Sequence, residues 1–113
     1  MSRRLLDQPK PKASARTKAN TNRWRLLNEF VDVHMAGLTR AEVAVWMVLY
    51  RDTRNGVSKS GMTDISRRAG VSTRHGMRAV RSLMNKGLLL RTYRGGLNRG
   101  VSRYVISTDG GVK

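Results

Sequence analysis

The 113-residue chain contains no cysteine. That excludes disulfide frameworks and cysteine-bound zinc, and it permits a reducing compartment. Carboxylates are scarce: 7 Asp and Glu stand against 23 Lys and Arg, for a formal net charge of +16. A globular fold tolerates this imbalance, but self-repulsion favours a polyanionic partner. No apolar run approaches the roughly 20 residues that span a bilayer, so no membrane is expected. The opening MSRRLLDQPKPK has basic residues but no long apolar core, so a secretory signal is not expected. A cytoplasmic protein of one small domain plus some tail is the resulting expectation.

Catalytic machinery is also missing. His34 and His75 are the only histidines, and with sparse carboxylates they form no metal-binding spacing. No nucleophile elbow, paired-carboxylate arrangement or dinucleotide fingerprint occurs. Gly95-Gly96 and Gly100 are not followed by a Lys-Ser/Thr pair or a helix start, so they do not make a phosphate loop. The expectation is a protein that is not an enzyme and takes no cofactor and no metal. His34 is expected as a partly buried structural residue, and His75 as a polar contact or a capping-turn residue rather than a catalyst.

The charge that is present divides unevenly. Residues 1–21 hold both prolines, Pro9 and Pro11, with six basic residues and one acidic. Their composition cannot bury enough apolar surface to offset ordering, so a flexible basic arm is expected there. Residues 22–107 carry sixteen basic and five acidic residues and form the expected domain. Residues 108–113 are expected as a short polar tail.

Trp24, Leu27, Val31 and His34 or Met35 recur at spacings of three and four, with Phe30 flanking. This predicts an amphipathic helix over 22–36, capped by Asn22, ended by a left-handed Gly37, with Trp24 in the core. Thr39 and Glu42 are spaced for a capping box, with Leu38 and Val43 placed as a hydrophobic staple. The helix that follows, Ala41–Tyr50, is apolar nearly all round and so central, with Trp46 and Met47 as packing residues. Asn55-Gly56 is a turn signal, and Val57-Ser58 is a candidate short strand.

Residues 62–90 read MTDISRRAGVSTRHGMRAVRSLMNKGLLL. Thr63 and Ser72 are candidate N-caps, and Gly70 sits where a left-handed turn would join two helices. Ile65, Ala69, Val71, Gly76, Ala79, Val80 and Leu83 have the spacing of a short crossed pair. The second helix, from Ser72 to about Lys86, would bury Gly76, Ala79, Val80, Leu83 and Met84. Its opposite side would present Thr73, Arg74, Met77, Arg78, Arg81 and Asn85, with His75 beside them. No acidic residue occurs between Asp64 and Asp109 to balance these arginines. Leu88-Leu89-Leu90 and Val101…Val105-Ile106 read as two strands joined by the Gly-rich, basic RGGLNRG. Arg91, Arg94, Arg99 and Arg103 would sit on or near this hairpin, with Asn98 at its tip.

Ile65–Ser72, Met77–Leu83 and Gly87-Leu88-Leu89 together resemble the winged helix-turn-helix family of DNA-binding proteins. The order of elements is similar to that of MarR-type and of phage or plasmid replication-protein winged helices. The resemblance implies a mostly α fold with a small β-hairpin wing (α+β), and a short strand near Val57 pairing with that hairpin. Gly76 departs from the family, which usually has a larger apolar residue there. Gly costs about 1 kcal/mol of helix propensity and either admits a closer crossing or loosens the helix. The long terminal helices with which MarR-type regulators dimerise and sense ligands are not expected in these residues, so effector sensing is not implied.

The implied function is double-stranded DNA binding. Thr73, Arg74, His75, Met77, Arg78 and Arg81 would face a major groove, while Arg91, Arg94, Asn98, Arg99 and Arg103 would meet the backbone or minor groove. Transcription regulation and accessory roles in replication, excision or partition of a mobile element share this surface, and both imply association with the nucleoid. A homo-oligomer on DNA is open, as either a two-fold dimer or a head-to-tail row, and so is a larger replication or transcription partner. The alternatives are an RNA-binding winged helix, stacking bases on Tyr93 and Tyr104, and a protein-interaction winged helix.

Overall fold

In the computed structural model the described residues are 22–108, so the expected arm and residues 109–113 lie outside them. The capping box forms as its spacing dictates. Glu42 N–H donates to Thr39 Oγ1 at 3.1 Å, and Thr39 N–H donates to Glu42 Oε1 at 2.9 Å. From this start helix α2 spans Arg40–Asp52, preceded by helix α1 across 22–29. β1 (Ser58–Ser60), α3 (Met62–Ala69), α4 (Thr73–Asn85), β2 (Leu89–Tyr93) and β3 (Ser102–Ile106) follow. The result is a small α+β domain of four helices and one antiparallel sheet of order β1-β3-β2.

α2 is the centre of the core. Ala41, Val45, Trp46, Leu49 and Tyr50 are buried along it, and Leu38 and Val43 pack half-buried beside them. Trp46 stacks on Phe30 with ring centroids 3.7 Å apart and on Tyr50 at 5.4 Å. Its indole N–H donates to Leu88 O at 3.2 Å, which satisfies the one polar atom of a fully buried ring. Met47, expected to pack, is exposed instead, because the neighbouring elements cover only the other sides of α2.

α1 is rotated from the expected face. Phe30 is fully buried, whereas Trp24 is 63% exposed and Val31 and Met35 are exposed too. Arg23 takes the inward place. Its guanidinium lies 4.3 Å from the centre of the Tyr50 ring and donates to Tyr50 O and Thr53 O, while Tyr50 OH donates to Arg23 O at 2.8 Å. A stacked cation with satisfied donors packs on an aromatic face as an apolar group would. The helix then widens into a π-turn over Phe30–His34 and a 3-10 turn over Met35–Gly37, which shifts the later side chains off the 3.6-residue stripe. Asn22 lies within the helix rather than capping it, and Gly37 does not adopt a left-handed φ.

Asn55 and Gly56 both have positive φ, 54° and 82°, which is a type I′ hairpin turn. Arg54 and Val57 bridge it, so β1 begins one residue after the expected Val57 and pairs Ser58 with Tyr104 and Ser60 with Ser102. On the other side of β3, Leu89 pairs with Ile106 and Arg91 with Tyr104, and the register slips at Thr92. Thr108, expected in a polar tail, is buried. Its Oγ1 donates to Glu29 Oε1 at 3.0 Å, and its carbonyl accepts from His34 Nε2–H at 2.8 Å.

Candidate nucleic-acid interface

The turn between α3 and α4 follows from two residues. Gly70 takes φ 79°, and Val71 N–H closes back on Ser66 O at 3.0 Å, a Schellman ending. Ser72 then caps α4, its Oγ accepting from His75 N–H at 3.1 Å. Thr63 is not a cap: α3 starts at Met62, two positions earlier than a Thr63 cap implies, with Gly61 as a cap without a side chain.

The two helices approach each other closely at one small position, Gly76. A Cβ added to Gly76 would lie 1.9 Å from Ser66 Oγ and 2.9 Å from Ser66 Cβ, so any larger residue forces Ser66 or the helices to shift. Gly76, Ala79, Val80 and Leu83 are buried against the core, with Met84 partly so. The opposite side of α4 presents Thr73, Arg74, His75, Met77, Arg78, Arg81 and Asn85, all exposed. Gly87 has φ 75°, and Leu88 N–H donates to Leu83 O at 2.9 Å, which turns the chain from α4 into β2.

Carboxylates decide which cations are free. Asp52 accepts from Arg68 and from Ser60, and Asp64 pairs with both Arg67 and Arg68. The Arg68 hydrogen bonds hold the Asp52 carboxyl below its ordinary value and raise the guanidinium in turn. Glu42 is buried and pairs with Lys86 at 3.0 Å. Burial alone would raise its carboxyl, but the Ser82 hydroxyl, the Thr39 N–H and Lys86 together bring it below the usual range. Glu29 accepts from Thr108. Among the described residues, no carboxylate pairs with Arg74, Arg78 or Arg81, nor with Arg91, Arg94, Arg99 or Arg103.

The β2–β3 hairpin exposes Arg94, Asn98, Arg99 and Arg103, and leaves Arg91 half-buried. Its tip is a tight turn in which Arg99 N–H donates to Gly96 O at 3.0 Å and Asn98 takes φ 64°. Positive φ at that third position marks a type II turn, which favours Gly or Asn. Gly95 is required by packing, since a Cβ there would lie 2.3 Å from Gly100 O. Tyr93 OH donates to Arg99 O at 2.7 Å, and the Arg103 guanidinium lies 5.3 Å from the centre of the Tyr93 ring. Tyr104 is buried in the core, so it is no stacking platform for a base, which corrects its expected place in an RNA surface.

The residue pattern did not single out Arg51, Arg54 and Lys59, which are exposed around the Asn55-Gly56 turn. Their clustering around the Asn55-Gly56 turn, with Asp52 as the one acidic residue among positions 51–59, was the signal that could have found them. Among the described residues no group of His, Asp and Glu is placed to hold a metal ion, and no helix is long and apolar enough to cross a membrane. No protein-family model and no curated protein sequence matches the chain.

Proposed function

We propose that this chain is a winged helix-turn-helix protein that binds double-stranded DNA. α4 enters a major groove, and the β2–β3 hairpin lies on the backbone or in the adjacent minor groove. Arg74, Arg78 and Arg81 contact guanine edges and phosphates, with Thr73, His75 and Met77 at the leading end of the helix. Arg91, Arg94, Asn98, Arg99 and Arg103 supply the hairpin contacts. Such a protein serves as a transcription regulator or as an accessory factor in replication, excision or partition of a mobile element.

One observation carries this proposal. Every carboxylate that forms an ion pair among the described residues pairs with Arg67, Arg68 or Lys86, while the arginines across the exposed side of α4 have no acidic partner. Unpaired arginines lined along one helix suit a polyanion better than solvent alone. The order α2-β1-α3-α4-β2-β3, with β1 on the outer edge beside β3, agrees with a winged helix-turn-helix. An RNA surface is less favoured, because Tyr104 is buried and the Arg103 guanidinium lies over the Tyr93 ring.

Selection of bound fragments from random duplex DNA, followed by sizing of the complex, tests this directly. A recovered sequence motif supports groove reading, and its symmetry gives the stoichiometry. Unchanged binding by Arg78→Ala and Arg81→Ala to the recovered site would refute the placement of α4.

A further inference from the structure

The apex of the hairpin carries an apolar side chain where the turn has no use for one. Leu97 is 89% exposed, the most exposed of the large apolar side chains among the described residues. Turn tips are ordinarily Gly, Asn, Asp or Ser, which supply backbone geometry or local hydrogen bonds. Leu supplies neither. Its pedestal is nevertheless firmly built. Gly96 N–H donates to Gly100 O at 3.2 Å, Arg99 N–H returns to Gly96 O, and Gly95 N–H donates to Ser102 Oγ at 2.9 Å. Tyr93 OH braces the far side through Arg99 O. Arg94 and Arg99 flank the leucine and stay exposed.

From this geometry we infer that Leu97 is a wedge: it inserts between base pairs from the minor groove and bends the duplex. This rests on DNA binding as proposed above and adds an architectural activity to it. An apolar side chain pressed between two base pairs partly unstacks them and kinks the helix by about 20–90° toward the major groove. The flanking arginines suit the negative potential of a narrow groove. A bilayer is the other surface that accepts an exposed leucine, but interfacial anchoring needs an apolar face. Here Gly95, Gly96, Asn98 and Arg99 surround the leucine, and the other exposed apolar residues of the hairpin, Leu90, Tyr93 and Val101, lie further down its arms.

The test uses the full chain and a short duplex carrying the selected site. Donor and acceptor dyes sit at its ends, and 2-aminopurine replaces adenine at successive steps. Wild-type protein should shorten the end-to-end distance and brighten 2-aminopurine at one step. Leu97→Ser should abolish both signals while its Kd stays within about tenfold of wild type, since the apolar packing it gives up and the unstacking it avoids offset each other. Leu97→Phe should keep both. Equal bending by Leu97→Ser, or a straight duplex under bound wild type, overturns the wedge and leaves DNA binding standing. Failure of wild type to bind any duplex overturns both. Leu97-dependent sedimentation with phosphatidylserine vesicles, in place of DNA bending, assigns the tip to a bilayer and overturns the wedge.

Discussion

Replacing Gly76 with alanine sets two effects against each other. In an unconstrained helix the change gains about 1 kcal/mol, because glycine is a poor helix former. At this crossing the new methyl lies 1.9 Å from Ser66 Oγ, 2.9 Å from its Cβ and 3.4 Å from its Cα. A rotamer change moves Oγ out of the way but cannot move Cβ. α4 must therefore withdraw from α3 by roughly 0.7 Å to restore ordinary carbon contact. Overpacking of this kind costs about 1–3 kcal/mol, so a net loss of about 1 kcal/mol is expected. For a domain of this size that lowers Tm by about 4–8 °C. Urea unfolding followed by far-ultraviolet circular dichroism measures it. Ser66→Gly removes both Oγ and Cβ, and in that background the same Gly76→Ala change should stabilise by about 1 kcal/mol. The two backgrounds thus differ by a coupling of about 2 kcal/mol. Equal stabilisation by Gly76→Ala in both would show that the helices do not meet there.

Arg78→Ala and Arg81→Ala should each cost about 1–3 kcal/mol at the selected DNA site and relax its sequence preference, while changing urea stability by no more than about 0.5 kcal/mol. Gel-shift titration beside urea unfolding separates the two. Glu42 has its carboxyl held below the ordinary 4.5, so its stabilising share is complete above that value and is lost as pH falls through the lower folded value. Stability measured from neutral to acid pH should therefore fall less steeply in Glu42→Gln than in wild type, and parallel curves would contradict this. Removing Arg3, Arg4, Lys10 and Lys12 should lower the slope of log affinity against log salt by about 0.9 for each phosphate no longer neutralised, with sequence preference intact. Competition binding across a salt series checks it.

The legible parts of the chain are those fixed by neighbours in sequence. Thr39 with Glu42, Ser72 with the His75 N–H, and Gly70 with its left-handed φ all depend on residues within a turn of one another. The exposed and buried sides of α4 followed from period alone, because nothing interrupts that helix. α1 forms and packs Leu27 against the core as its spacing implies, but Trp24, Val31 and Met35 turn outward for the opposite reason. Its inward face is chosen by Tyr50, about 27 residues further along the chain, whose ring takes a guanidinium where periodicity would place Trp24. The π-turn at Phe30 then breaks the spacing that the stripe assumed. Thr108 was missed likewise, since its partners His34 and Glu29 lie at the opposite end of the chain. At the candidate site the sequence located the cations, but only coordinates could say which ones the carboxylates neutralise.

The placement of those carboxylates has an electrical consequence. Residues 22–64 carry six basic side chains and five acidic ones, whereas residues 65–108 carry ten basic and none acidic. Asp52, Asp64 and Glu42 sit on Arg67, Arg68 and Lys86, which leaves the seven arginines of α4 and the hairpin as a group of one sign. A torque of this kind turns a protein in a polyanion's field before any atoms meet, within the roughly 8 Å reach that physiological salt allows. Capture by a long anionic rod would then become a sequence of correctly faced arrivals in place of a random tumble.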